Sequence, residues 1–225
     1  MIDPHVHLRD WNEREKETIL HGMESGFLSG IDTFFDMPNT NPPLTNRDNI
    51  LRRIEDGIKA EEALGKKGMD VHYHLYLGLT PERRQVEEMV DLYSTLFPRV
   101  IGLKLFASHS TGNMGIIDES EERNIFKILS ELDYKGVVAV HAEKTSYFTS
   151  SPFHSLSRPS VSEVESVRDM IEFATDAEFK GTLHIAHIFH QLAFFGKVLG
   201  AAVALSGVAI HHKVIIVRVE MGVTH

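Results

Sequence analysis

The 225-residue sequence contains no cysteine. Disulfides, thiolate metal sites and a cysteine nucleophile are excluded, so any metal must be held by histidine, carboxylate or a less usual ligand. Basic residues are comparatively few, with 23 Lys and Arg against 32 Asp and Glu, for a formal charge of −9. They form no cluster of the kind that phosphate contacts need, which argues against a nucleic-acid surface and leaves small molecules as the expected partners. No apolar run reaches the roughly 20 residues that span a bilayer. The longest, from Val198 to Ile210, is broken by Gly200, Ser206 and Gly207. The opening MIDPHVHLRD lacks the basic and apolar regions of a signal peptide, and a cytoplasmic location is expected. Repeats, linkers and low-complexity segments are also missing, which points to one domain over residues 1–225.

What is present is an alternation of short β-like runs with longer helical stretches, the sequence sign of a parallel α/β fold. Strands are expected at Ile2 to His7, Ile31 to Met37, Val71 to Leu77, Val100 to Phe106, Gly136 to His141, Thr182 to Ile188 and Ala202 to Ile210. Apolar residues at three- and four-residue spacing mark helices at Arg47 to Leu64, Pro81 to Leu96, Glu121 to Leu132 and Val161 to Phe179. Asn46 reads as a helix entry, and Thr80 followed by Pro81 as an N-cap with proline at the first helical position. Seven such units suit a TIM-like (β/α) barrel. The chain is a little short of the roughly 250 residues typical of eight strands. VIIVRV at Val214 to Val219 is apolar enough for a strand, but it follows its predecessor too closely for a parallel crossover. A barrel incomplete at its C-terminal end, with strand 8 missing, is therefore expected, and with it an open or self-associating chain.

The notable polar residues sit at the C-terminal ends of these strands, where an α/β barrel builds its active site. His5 and His7 lie two apart on a strand, so both face the same way and can grip one metal ion. His72 and His74 repeat the pattern, but read more simply as histidines of a half-buried strand. Alone, Lys104 reads as a lysine whose stem packs on the barrel, and Arg9 as a surface partner of Asp10.

Five motifs change that reading together: DPHVHLRD, DMPNTNPP, GLKLFAS, VHAE and HIAHI, at the ends of the first, second, fourth, fifth and sixth strands. In this order, over about residues 1 to 212, they resemble the dihydroorotase branch of the metal-dependent amidohydrolases. The resemblance implies two divalent metal ions, most simply zinc, with His5 and His7 on one and His141 and His187 on the other. It implies a carbamate on Lys104, formed with CO2, that supplies anionic oxygens to the metal pair. It selects His187 over His184, which is then expected to pack against a helix. Arg9 and Asn39 match the residues that bind the substrate carboxylate, since a guanidinium fork suits two oxygens. Ser108 to Gly115 reads as a loop over the pocket mouth. The implied activity is metal-assisted opening of dihydroorotate to carbamoyl aspartate, a step of pyrimidine biosynthesis.

The resemblance also breaks. The family carries a proton-shuttling Asp at its eighth strand, whereas the last Asp here is Asp176. Two classes of function stay open: a hydrolase of dihydroorotate, allantoin or a hydantoin, and a non-catalytic relative that forms homo-oligomers or supports a pyrimidine-pathway partner.

Overall fold

The computed structural model describes residues 1–186, 208–211 and 214–218. It divides into two compact units: Met1–Lys104 with Ser110–Met114, and Leu105–His109 with the residues from Gly115 on.

The first unit is built from β1 (Ile2–Val6), α1 (Ile19–Leu28), β2 (Thr33–Asp36), α2 (Arg47–Gly65), β3 (His72–Gly78), α3 (Arg83–Leu96) and the beginning of β4 (Val100–Ala107). All four strands are parallel neighbours in chain order. Buried Tyr73, Leu75, Leu77, Leu103 and Leu105 reflect the apolar runs of a sheet covered by helices. Asn46 is the N-cap of α2, its side chain accepting from the Asn49 N–H. The helix turns Ile50, Ile54, Ala60 and Leu64 inward. Gly57 lies on the same face because a Cβ there would come within 2.2 Å of the Tyr73 ring.

The proposed cap at Thr80 is not formed. Helix α3 starts at Arg83 with Glu82 as N-cap. The Gln85 side chain explains why: it accepts from both the N–H and the hydroxyl of Thr80 and donates to the carbonyls of Thr45 and Gly78. Thr80 is thus held as part of the strand-to-helix turn.

The interior of this unit is charged. Arg53, on the apolar face of α2, and Asp36, at the end of β2, are both fully buried and meet at 2.6 Å. The Tyr73 hydroxyl donates to the same Asp36 oxygen at 2.7 Å, and the Leu8 N–H reaches the other at 3.0 Å. The Arg53 guanidinium also donates to the carbonyls of Leu8 and Arg9. Burial pushes the Tyr73 hydroxyl far above its ordinary range, which keeps it a neutral donor.

The second unit carries α4 (Glu119–Glu131), β5 (Val137–Ala142), α5 (His154–Ser157), α6 (Ser160–Asp176), β6 (Thr182–Ala186), β7 (Val208–His211) and β8 (Val214–Arg218). Strands β5 and β6 are parallel, with His141 opposite Ala186. Among the described residues the expected parallel eighth strand is missing: Val214–Arg218 forms a strand, but β8 runs antiparallel to both β6 and β7. Asp118 caps α4 by accepting from Ser120 and Glu121. Arg123 ties α4 to α6 through Glu172 and Asp176 while lying over the Phe173 ring. Among the described residues no helix is long and apolar enough to cross a membrane.

Lys144 bridges Asp169 of α6 and Glu119 of α4 at 2.6 and 2.7 Å. Glu122 is buried close by. Burial, then the carboxylates of Asp169 and Glu119, raise its pKa from 4.5 to about 8. The folded form therefore holds this proton more tightly than the unfolded one, and stability is lost as pH rises through that interval.

Two outcomes follow from these interiors. Asp36→Ala should destabilise the chain by about 3–5 kcal/mol in denaturant unfolding, because it leaves Arg53 buried without its counter-charge. A loss under about 1 kcal/mol would show that the pair is dispensable. Glu122→Gln should leave stability unchanged near pH 4.5 and raise it increasingly up to about pH 8. A gain of about 1–3 kcal/mol is expected at the upper end, and a pH-independent difference would contradict the assignment.

Candidate metal centre

In the first unit, β1 delivers His5 and, just beyond its end, His7. Their rings meet edge to face with centroids 5.2 Å apart. The His7 ring is buried, with the Asn39 side chain as its hydrogen-bonding neighbour. Burial first, then the Arg9 charge, lowers the His7 pKa to about 4. The imidazole is thus neutral near pH 7, the form in which histidine binds metal. Asp36, Asn39 and Lys104 lie near enough to act on the same ring.

Lys104 is wholly buried on β4, beside Gly78 of β3, and burial alone brings its pKa down to about 7. A neutral amine is available there in substantial fraction at neutral pH.

Arg9 and Asn39 are also brought together. Arg9 Nη1 donates to the Asn39 carbonyl at 3.2 Å and lies 3.8 Å from Glu13 Oε2. The partner considered from sequence, Asp10, is used elsewhere: its carboxylate accepts from the N–H groups of Trp11 and Ile19. The buried Asn39 side chain donates to Ser110 Oγ at 3.4 Å and hydrogen-bonds the His7 ring. Ser110 opens a 3-10 turn, Thr111–Asn113, whose Gly112 lies against the Thr40 carbonyl. The expected loop beside the site is therefore seen here as a defined turn.

The second HxH pair bears out its simpler reading. His72 is exposed, and His74 Nδ1 contacts the Pro98 carbonyl at 2.7 Å.

In the second unit, His141 lies one residue before the end of β5 and its Nε2 is 3.0 Å from Glu143 Oε2. Arg158 pairs with the same carboxylate oxygen. Burial pushes Glu143 up, but His141 and Arg158 outweigh it and hold the carboxyl below its ordinary range. His184 is buried on β6, as the sequence suggested. His187 lies outside the described residues. Among the described residues, no three His, Asp or Glu side chains converge on one point that could hold a metal ion.

Sequence reasoning missed Asp36, Arg53, Tyr73 and Glu13. The available signal was the place of Arg53 between Ile50 and Ile54 on the inward face of α2.

No family model matches the chain. Among curated proteins, the dihydroorotase of Pyrococcus abyssi is 32% identical over 191 residues, covering 84% of this chain and 38% of that protein. The dihydroorotase of Archaeoglobus fulgidus is 31% identical over 190 residues, covering 83% and 42%. Among solved structures, L-hydantoinase (dihydropyrimidinase) from Arthrobacter aurescens superposes with a TM-score of 0.64 at 22% identity, covering 83% of this chain and 41% of that one. Dihydroorotase from Saccharomyces cerevisiae in complex with 5-fluoroorotic acid gives 0.51 at 21% identity, covering 80% and 46%. The chain thus spans about two fifths of the length of the curated relatives it matches. It is a relative of the dihydroorotases, with the TIM-like α/β fold of the cyclic amidohydrolases.

Proposed function

We propose that this chain carries metal-binding and carboxylate-recognition residues of a dihydroorotase-like cyclic amidohydrolase. The observation that supports this most is the company Lys104 keeps: a buried, partly neutral amine in one unit with the neutral His7, His5, Arg9 and Asn39. Burial of a lysine beside a buried neutral histidine is costly unless something else is to be bound.

The donor set fits divalent ions such as zinc, with His5 and His7 as nitrogen ligands and Lys104 as the carbamate-bearing residue. Attack of the neutral Lys104 amine on CO2 would form an N–C bond and release one proton, turning an amine into an anionic oxygen donor. The family resemblance assigns His141 and His187 to a second ion. Bound metal would supply an activated water near neutral pH and polarise the carbonyl under attack. Arg9 would fork the carboxylate of dihydroorotate, with Asn39 alongside to orient the ring. In the overall reaction water adds across the ring amide: the C–N bond breaks, the carbon gains oxygen and the nitrogen gains a proton. The products of that opening are the carboxylate and the carbamoyl nitrogen of carbamoyl aspartate.

With zinc and bicarbonate supplied, metal analysis should find two ions per chain, and the His5→Ala/His7→Ala double variant should lose at least one. Full metal content in that variant would remove the pair from the site. Arg9→Ala should weaken dihydroorotate binding by about 2–5 kcal/mol without changing metal content. Equal affinity of the unmodified chain for an uncharged hydantoin and for dihydroorotate would favour a hydantoinase instead.

A further inference from the structure

We propose that Glu13 is a counter-charge built into the Arg9 site, occupying the guanidinium until a ligand carboxylate arrives and so setting how strongly anions bind. This deepens the carboxylate-recognition reading of Arg9 and rests on it.

Glu13 is a carboxylate that the fold has gone to some length to bury. Only 7% of it is exposed. Oε1 accepts from Lys16 Nζ at 2.7 Å, but Oε2 is buried with no hydrogen-bond partner and stands 3.8 Å from Arg9 Nη1. At that distance the two attract without a formed hydrogen bond. The nearer Arg9 contact, 3.2 Å to the Asn39 carbonyl, fixes the guanidinium, so Glu13 contributes charge more than orientation.

The backbone that brings Glu13 back to Arg9 is strained and locked. Asp10 has φ 58° and ψ −167°, a region that is essentially glycine's, and Trp11 follows with φ 49°. Asp10 holds this shape from both sides, its N–H donating to the Glu17 carbonyl and its carboxylate accepting from Trp11 and Ile19. Trp11 is pinned through Nε1 to Asp56 at 2.8 Å, and its ring lies against the guanidinium groups of Arg52 and Arg53. The result is the 3-10 turn Trp11–Glu13, which places Glu13 four residues along and next to Arg9. Strain of this kind persists only where the surroundings over-determine it, and here it serves to set one acid against one base.

A ligand carboxylate forked by Arg9 must share the guanidinium with this buried anion. Like charges at such range repel, and the penalty falls on anionic ligands alone. Glu13 would therefore lower anion affinity in exchange for a guanidinium with a counter-charge when no ligand is bound.

The test is titration calorimetry on the zinc-loaded chain with dihydroorotate and with uncharged hydantoin, comparing the unmodified protein with Glu13→Gln and Glu13→Ala. Glu13→Gln keeps the shape and should bind dihydroorotate about tenfold more tightly, while hydantoin is unchanged. Glu13→Ala should shift selectivity the same way. Unchanged or weaker dihydroorotate binding in both variants, with the circular dichroism spectrum intact, would overturn the proposal. If instead Arg9→Ala leaves dihydroorotate binding intact, the carboxylate reading of Arg9 has failed, and that outcome is separate from the effect of Glu13.

Discussion

The segment of the first unit that carries His7 and Arg9 is held by one guanidinium. Arg53 enters from α2 and spends its donors on Asp36, on the Tyr73 hydroxyl, and on the carbonyls of Leu8 and Arg9. A single buried cation thereby joins α2, the end of β2, the third strand and the segment leaving β1. Isolated charges are excluded from protein interiors because desolvation outweighs any one contact. The arrangement is tenable because both Asp36 oxygens and the guanidinium are committed together. The segment it clamps carries His7 on one side and Arg9 on the other, so the direction of both side chains is set by an ion pair that touches no ligand.

Burial shapes the site in a second way. His7 and Lys104 would carry positive charge in water near pH 6, and two cations beside a prospective divalent ion would oppose its binding. Desolvation brings both toward neutrality, to about 4 for His7 and about 7 for Lys104. The same physics that makes these residues expensive in a core makes them usable as donors. Arg9 is left as the permanent cation, which suits a group meant for an anionic substituent rather than for metal.

Much of this was legible in the sequence and some of it could not be. The strands were readable because short β-like runs alternate with stretches of helical periodicity, and Asn46 announced α2 by its own capping chemistry. Lys104 and the histidine pair stood out only in company, since a single lysine or HxH has many uses. Asp36, Arg53, Glu13 and Glu122 were opaque for one shared reason: a charged residue is ordinarily on the surface, and sequence alone does not show the partner that would justify burying it. Glu122 sits in the run ESEERN, outwardly a solvated face, and lies inward because the helical period turns it with Ile125, Phe126 and Leu129.

The last two strands separate what side chains decide from what connectivity decides. The apolar, β-branched run Val214 to Val217 has the character of a strand, and a strand forms. Its direction was never open to choice. Only two positions separate His211 from Val214, which is too few for a parallel crossover and is the span of a hairpin. The hairpin then meets β6 by its second strand, pairing Thr182 with Arg218 through Ala186 with Val214. The crossover argument ruled out a parallel strand at this place, and the strand found there is antiparallel. An exposed edge of N–H and C=O groups accepts a partner of either direction, and the nearest segment able to supply one was already attached.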